Sequence, residues 1–359
     1  MIALLLATPP PEVPPEAEDL LSLLDISPWE RFFAGLKGME AWQSPTRLIH
    51  ALLEGELSGE QLLLSLRSRC TAGIQGAWGL FLLALMVGAL GAVCSLLFEE
   101  GQGVLGRLLS FSLGAVLLGR LLPLIEECLT ALNRMQTLTE ISVPLVSGIL
   151  LLLGSPRSAG LLGALGEGML VQILGLFRHW VVPLVAAGGV LRAVDAAGGS
   201  RVSGLADLAF LVARWLMRLS ATGYLLLVAL LGSGALMQDG LLLKMGRAAA
   251  GSLPMVGLIL SDSLGAAVGC LRLVKGALGW TGVLLVLWQV AAPGAALLLH
   301  GFALRAAAAF LLPLQQRDMG TLLLSVGEML TSLGAVLFAS AALTAVSLGA
   351  LSGCWGGGG

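Results

Sequence analysis

Asp262 stands in Pro254-Met-Val-Gly-Leu-Ile-Leu-Ser-Asp262-Ser-Leu-Gly265, a single carboxylate among apolar and small residues. Arg272 and Lys275 follow within about three to four helical turns. Glu167 in Gly163-Ala-Leu-Gly-Glu167-Gly168 and Glu328 in Ser325-Val-Gly-Glu328 interrupt other apolar blocks in the same way. An unpaired charge in such a setting costs several kcal/mol at the centre of a bilayer, so each needs a partner, water or a helix end. Two readings are open: a buried polar cluster between helices that lines a pathway, or charges at helix ends facing headgroups. The second suits Arg272 and Lys275, the first Asp262. His50, His179 and His300 form no metal spacing such as H-E-x-x-H, and Cys70, Cys94, Cys128, Cys270 and Cys354 form no C-x-x-C pair. No G-x-x-x-x-G-K-[ST] occurs, so any ATP-driven role needs a partner. Spacing therefore points to no catalytic residue, no metal and no cofactor.

The composition sets these residues in a membrane. Of 359 residues 57% are apolar and only 12% charged, against about 25% charged in an ordinary soluble domain. The formal net charge of −2 offers no electrostatic footprint for nucleic acid. A typical cytosolic enzyme, a disordered chain and a nucleic-acid binder are excluded together. The expected fold is all-α and polytopic, with about six to eight spans, some of them broken or re-entrant, and a small helical head.

Charge divides the chain. Residues 1–60 hold ten acids and three bases, leaving twelve acids and seventeen bases for 61–359. The organisation read from this is a proline-rich linker over 1–19, an acidic amphipathic helical head over 20–70 and a membrane domain over 71–355. Acids contribute little to orientation, so an arginine-poor head is compatible with export. Met1-Ile-Ala-Leu-Leu-Leu-Ala7 reads either as a frayed terminus or as the remnant of a signal peptide. Thr71–Phe98 carries no charge and is long enough to span. Its glycines Gly73, Gly76, Gly79, Gly88 and Gly91 would let another helix approach closely. A second span is expected over 104–125, with Arg107 and Arg120 snorkelling. Gly101-Gln-Gly-Val-Leu-Gly106 spells G-x-G-x-x-G without the preceding strand that a dinucleotide site needs, and is expected to be a loop. Further apolar blocks lie at 141–155, 158–177, 179–191, 219–237, 253–270, 276–304 and 321–353. Arg178, Arg192, Arg201, Arg214 and Arg218 suggest a cytoplasmic loop over 192–218, with 203–218 lying along the membrane surface.

An internal echo appears at an offset of 110 residues. Ser142-Val-Pro144-Leu-Val146 faces Ser252-Leu-Pro254-Met-Val256, and Pro183 faces Pro293. In so apolar an alphabet chance identities are frequent. The alternative is a duplicated unit, 130–237 and 240–350, in which paired interrupted helices mark a functional midplane.

The run Asp239-Gly240-Leu-Leu-Leu-Lys244-Met-Gly-Arg247, then Ser252-Leu-Pro254-Met-Val-Gly257, Asp262 and Gly269-Cys270-Leu-Arg-Leu-Val-Lys275-Gly-Ala-Leu-Gly279, resembles the signature stretch of the stage III sporulation protein AE family. Gly55-Glu-Leu-Ser-Gly59-Glu60, Ser142-Val-Pro144-Leu and Leu312-Pro313-Leu extend the likeness over about 20–350. The resemblance implies a membrane subunit of a secretion-like channel joining mother cell and forespore, seated in the outer forespore membrane. It implies as partners the bilayer and sibling membrane, ring-forming and ATPase proteins, and it implies no enzymatic activity. Only motif positions carry over: Pro144, Asp239, Gly240, Pro254, Gly257, Asp262, Lys275 and Gly279. Small-molecule transport, or scaffolding of ring proteins without conduction, are the competing functions. If Asp262 supplies a buried polar contact, Asp262→Asn and Asp262→Leu will each lower spore yield while the protein accumulates. Normal sporulation by both, at normal protein levels, would remove that role.

Overall fold

The computed structural model describes residues 27–35, 59–97, 102–152, 156, 159–160, 163–198, 202–250, 256–314 and 317–351; over 230–250 and 256–275 it describes the backbone alone. Among these residues there is no strand. In chain order the helices are α1 (Ser27–Ala34), α2 (Gly59–Leu97), α3 (Gln102–Leu152), α4 (Val171–Leu176), α5 (Val182–Gly198), α6 (Ser203–Ala250), α7 (Val256–Leu311) and α8 (Arg317–Leu351). π-Helical turns at Gly163–Leu170 and Phe177–Val181 flank α4 and join it to α5. Among the described residues six helical segments are long and apolar enough to cross a membrane: Gly73–Val93, Leu108–Leu151, Gly163–Ala196, Ser203–Ala229, Gly276–Leu314 and Arg317–Gly349.

Several expected breaks are absent. Blocks 104–125 and 141–155 join over their described residues in one helix, α3, which runs through Pro123 and Pro144. Blocks 253–270 and 276–304 join over their described residues in α7, which runs through Pro293. Over its described residues the expected loop 192–218 is the end of α5 and the start of α6, and 203–218 opens a helix of membrane-crossing length. From Gln102 onward the G-x-G-x-x-G stretch is helical and not a loop. The physical reason is shared: in hydrocarbon the backbone has no water to bond, so a continuous helix survives glycines and prolines that would end one in water. α2 passes straight through residue 70, so the acidic head and the membrane part share a helix. Interruption does occur at the π turns of 163–181, where the ladder slips by one residue instead of breaking.

α7 and α8 form an antiparallel hairpin and the most extensive pairing in the fold. Glycines set its seam: Gly282 lies against Leu348, Gly294 against Phe338, Gly301 against Thr331 and Gly334 against Leu298. A Cβ added at Gly301 would stand 3.1 Å from the Gly327 carbonyl oxygen, and one at Gly327 3.0 Å from that of Gly301. Here backbone meets backbone, which van der Waals packing between helices in lipid requires. Arg305 closes the seam by donating to Thr331 Oγ1 at 2.8 Å. α2 lies along α7 in parallel, with Gly73 on Ala296, Gly76 on His300 and Gly88 on Leu311. Its opposite face exposes Ile74, Trp78, Leu82, Met86 and Leu90 at four-residue spacing, a lipid-facing stripe. α5 and α3 cover α8 from the other side, and α6 packs on α5 through Ala206, Phe210 and Ala213. Trp29 and Phe33 fasten α1 to α3. Buried hydroxyls bond back along their own helices, as Thr139 to the Met135 carbonyl at 2.9 Å and Thr281 to that of Ala277 at 2.8 Å.

Gly327→Ala should destabilise the hairpin by about 1–3 kcal/mol, because the new Cβ would meet Arg305 Cγ and, behind it, the Gly301 carbonyl oxygen, which as backbone cannot give way. Gly79→Ala, whose Cβ meets nothing within 4 Å, should be neutral or stabilising by up to about 1 kcal/mol. Thermal unfolding of the detergent-solubilised protein checks both; equal effects at the two positions would refute the seam.

Candidate functional site

Two proline-bearing helices meet one glycine-bearing helix around a cavity of about 880 Å³. α3 contributes Pro123, Glu126, Glu127, Thr130 and Arg134, α7 contributes Gln289, Pro293, Ala296 and His300, and α2 contributes Gly73 and Gly76. Pro293 has no N–H to give the Gln289 carbonyl, and Pro123 none for that of Gly119. The glycines matter by omission of a side chain: a Cβ at Gly76 would stand 3.0 Å from His300 Nε2.

The polar groups here are unusual for an apolar bundle. Gln289 is only 6% exposed, and neither its Oε1 nor its Nε2 has a hydrogen-bond partner among the described residues. A buried amide without a partner costs about 1–3 kcal/mol. His300, 7% exposed, donates from Nδ1 to the Ala296 carbonyl at 2.7 Å. Because a carbonyl only accepts, Nδ1 carries a proton. Glu126 and Glu127 are exposed, and Arg134 is half-buried. One turn away, Asn133 Oδ1 accepts from Arg178 at 2.5 Å, which ties the π turn of 177–181 to the polar stretch of α3.

A second polar centre lies on the far side of α8. Arg192 of α5 donates through Nε to Asp207 of α6 at 3.0 Å, and through Nη1 to Glu328 of α8. Its guanidinium stacks 4.6 Å over the Phe210 ring. Gly188 against Phe210 and Gly189 against Met329 bring the three helices close enough for one side chain to reach both carboxylates. Asp195 Oδ1 accepts from the Val202 amide at 3.3 Å and closes the turn between α5 and α6. Among the described residues no three His, Cys, Asp or Glu side chains gather to hold a metal.

The positions singled out in sequence are scattered. Pro144 lies exposed within α3 and Gly279 buried within α7; Asp239 and Gly240 fall on α6, and Gly257, Asp262 and Lys275 on α7. The side chains of Asp239, Asp262, Lys275 and Glu167, and the whole of Pro254, lie outside the described residues. Glu328 is the flagged carboxylate that finds a described partner, an arginine expected in a loop. Glu126, Glu127 and Gln289 were not singled out. The available signal was their closeness to proline: Gln289 stands four residues before Pro293, and the glutamates just after Pro123.

Fold and site together define a multi-pass helical membrane protein with a polar cavity between proline-bearing helices. The family model for stage III sporulation protein AE matches residues 60–353, and the chain belongs to that family, a sporulation family and not a known enzyme family. Comparisons with curated proteins and with solved structures find no match.

The side chains of Arg192 and Glu328 are 22% and 35% exposed, between a surface pair worth about 0–1 kcal/mol and a buried one whose breakage costs about 3–5 kcal/mol. Arg192→Leu should therefore destabilise by about 1–3 kcal/mol, and the double variant Arg192→Leu/Glu328→Leu should recover part of the loss. A double-mutant cycle on thermal unfolding measures the coupling; strict additivity would show that the pair contributes nothing.

Proposed function

We propose that this chain is a membrane subunit of a secretion-like channel linking mother cell and forespore, seated in the outer forespore membrane and needed for forespore development after engulfment. Family membership supports the sporulation role. The observation that carries the subunit reading is the length of α7. Its apolar segment Gly276–Leu314 has 39 residues, about 58 Å of helix, against a hydrocarbon core of about 30 Å. Tilt alone would have to reach about 60°, beyond the usual range of about 0–40°. Gly276 to about Pro293 therefore extends past the level at which the α2 span begins. Leu287, 54% exposed, lies on this extension and needs a cover other than lipid. Sibling membrane and ring-forming proteins are partners of the right kind, and the sequence holds no P-loop, so nucleotide hydrolysis falls to an associated ATPase.

The polar cavity favours one competing function, small-molecule transport by this chain alone. A clean deletion in the source organism separates the two. Small, collapsing forespores after engulfment, rescued by the wild-type gene, are expected; normal spores, with no second copy in the genome, would overturn the channel role and leave transport.

A further inference from the structure

We infer that the groove between α1 and α3 binds a phosphate group, carried either by a lipid headgroup or by a soluble phosphate. The inference stands independently of the channel role. Three observations carry it. The first is the charge of the groove, which measures about 480 Å³ and has Arg31 of α1 and Arg134 of α3 on one lining. That lining holds two bases and no acid, although residues 1–60, to which α1 belongs, hold ten acids and only three bases. Two guanidinium groups that share a groove repel each other unless an anion lies between them.

The second is that both arginines have donors to spare. The ion pairs among the described residues belong to Arg192, so no described carboxylate neutralises Arg31 or Arg134. Arg31 donates through Nε to the Ser27 carbonyl at 3.4 Å, a bond that uses one of its five donors. Arg134 is half-buried and has no described hydrogen-bond partner. Glu140, the acid nearest to it in sequence, accepts from Gln136 at 3.0 Å instead.

The third is place and shape. Trp29 and Phe33 hold α1 against α3, and Pro28, Phe32 and Ile141 wall the groove with carbon. It lies just past Glu126, Glu127 and Asn133, where α3 turns polar and where hydrocarbon gives way to headgroups. A volume of about 480 Å³ exceeds a bare oxyanion and leaves room for the carbon skeleton that a phosphate ester carries. A phosphate has oxygens enough for two guanidinium forks at once, whereas a carboxylate is filled by one.

The test uses the full chain in phosphatidylcholine nanodiscs, titrated by calorimetry with inorganic phosphate and with acetate. Saturable phosphate binding is expected, with acetate at least about tenfold weaker. Arg31→Gln and Arg134→Gln should each weaken phosphate by about tenfold. Gly35→Lys adds a base at an exposed place on the lining, where a Cβ meets nothing closer than the Phe32 carbonyl oxygen at 3.4 Å. It should strengthen binding several-fold, a gain that cannot come from misfolding. The titration is repeated in nanodiscs doped with phosphatidylglycerol or, at equal charge, with oleate. Loss of phosphate binding with phosphatidylglycerol but not with oleate would assign the site to a lipid headgroup; equal effects of the two would assign it to a soluble phosphate. The inference falls if the folded protein binds no phosphate saturably, if acetate binds as tightly, if either arginine variant binds as well as the wild type, or if folded Gly35→Lys binds more weakly.

Discussion

The thickness of a bilayer against the length of these helices is the constraint from which the rest of the architecture follows. The α2 span takes in Gly73–Val93, within the uncharged stretch Thr71–Phe98, and crosses a core of about 30 Å. α2 runs in step with the later part of α7, from Ala296 to Leu311. At the level where this matched region begins, α3 turns polar with Glu126, Glu127, Asn133 and Arg134, and Arg178 joins it. Charges are tolerated there because that is where the hydrocarbon can end or water can enter. The cavity sits at this level, at the end of the α2 span and in the middle of α7. Its polar lining and the overshoot of α7 are thus two consequences of one mismatch.

Glycine and proline divide the labour of building that site. Glycine removes volume where helices must touch, so that the α7–α8 seam brings the Gly301 and Gly327 backbones together and Gly76 admits His300. Proline removes a donor without ending the helix, and so leaves carbonyls unbonded at chosen depths in α3 and α7. Close packing by glycine over most of α7 thus accompanies a ladder interrupted at Pro293. A buried amide such as Gln289 is destabilising by itself.

The helical membrane class, the span of α2 and its close-approach face at Gly73, Gly76 and Gly88 were legible from hydropathy and spacing. Gly79 carries the same spacing and touches nothing, because regular intervals of three drift around a helix of 3.6 residues per turn. The continuity of α3 and α6 was not legible. Proline and arginine were read with their aqueous meaning, as breakers and loop markers, whereas in an apolar bundle Pro123 is absorbed and Arg192 is paired. The cavity was missed for a related reason. Its defining groups are forty to over two hundred residues apart in sequence, and attention went to isolated carboxylates instead of to polar residues beside prolines. Glu328 was found as a charge within an apolar block, but nothing local to Glu328 identifies Arg192, 136 residues away, as its partner.

The two polar centres share one element. Gln289 and His300 belong to α7, Glu328 belongs to α8, and the seam between those helices has backbone on backbone at Gly301 and Gly327 and a hydrogen bond from Arg305 to Thr331. Interdigitated glycine contacts resist sliding, since displacement along the axis would drive a neighbouring side chain into the position a glycine leaves open. The hairpin is therefore the rigid body of the fold. Rearrangement at the cavity must occur between the hairpin and α2 or α3, and rearrangement at the ion pair between the hairpin and α5 or α6. α3 touches both faces, lining the cavity through Glu127 and Arg134 and meeting α5 and α8 through Leu117 and Leu121. A shift of α3 relative to the hairpin would therefore alter the packing on both of its faces.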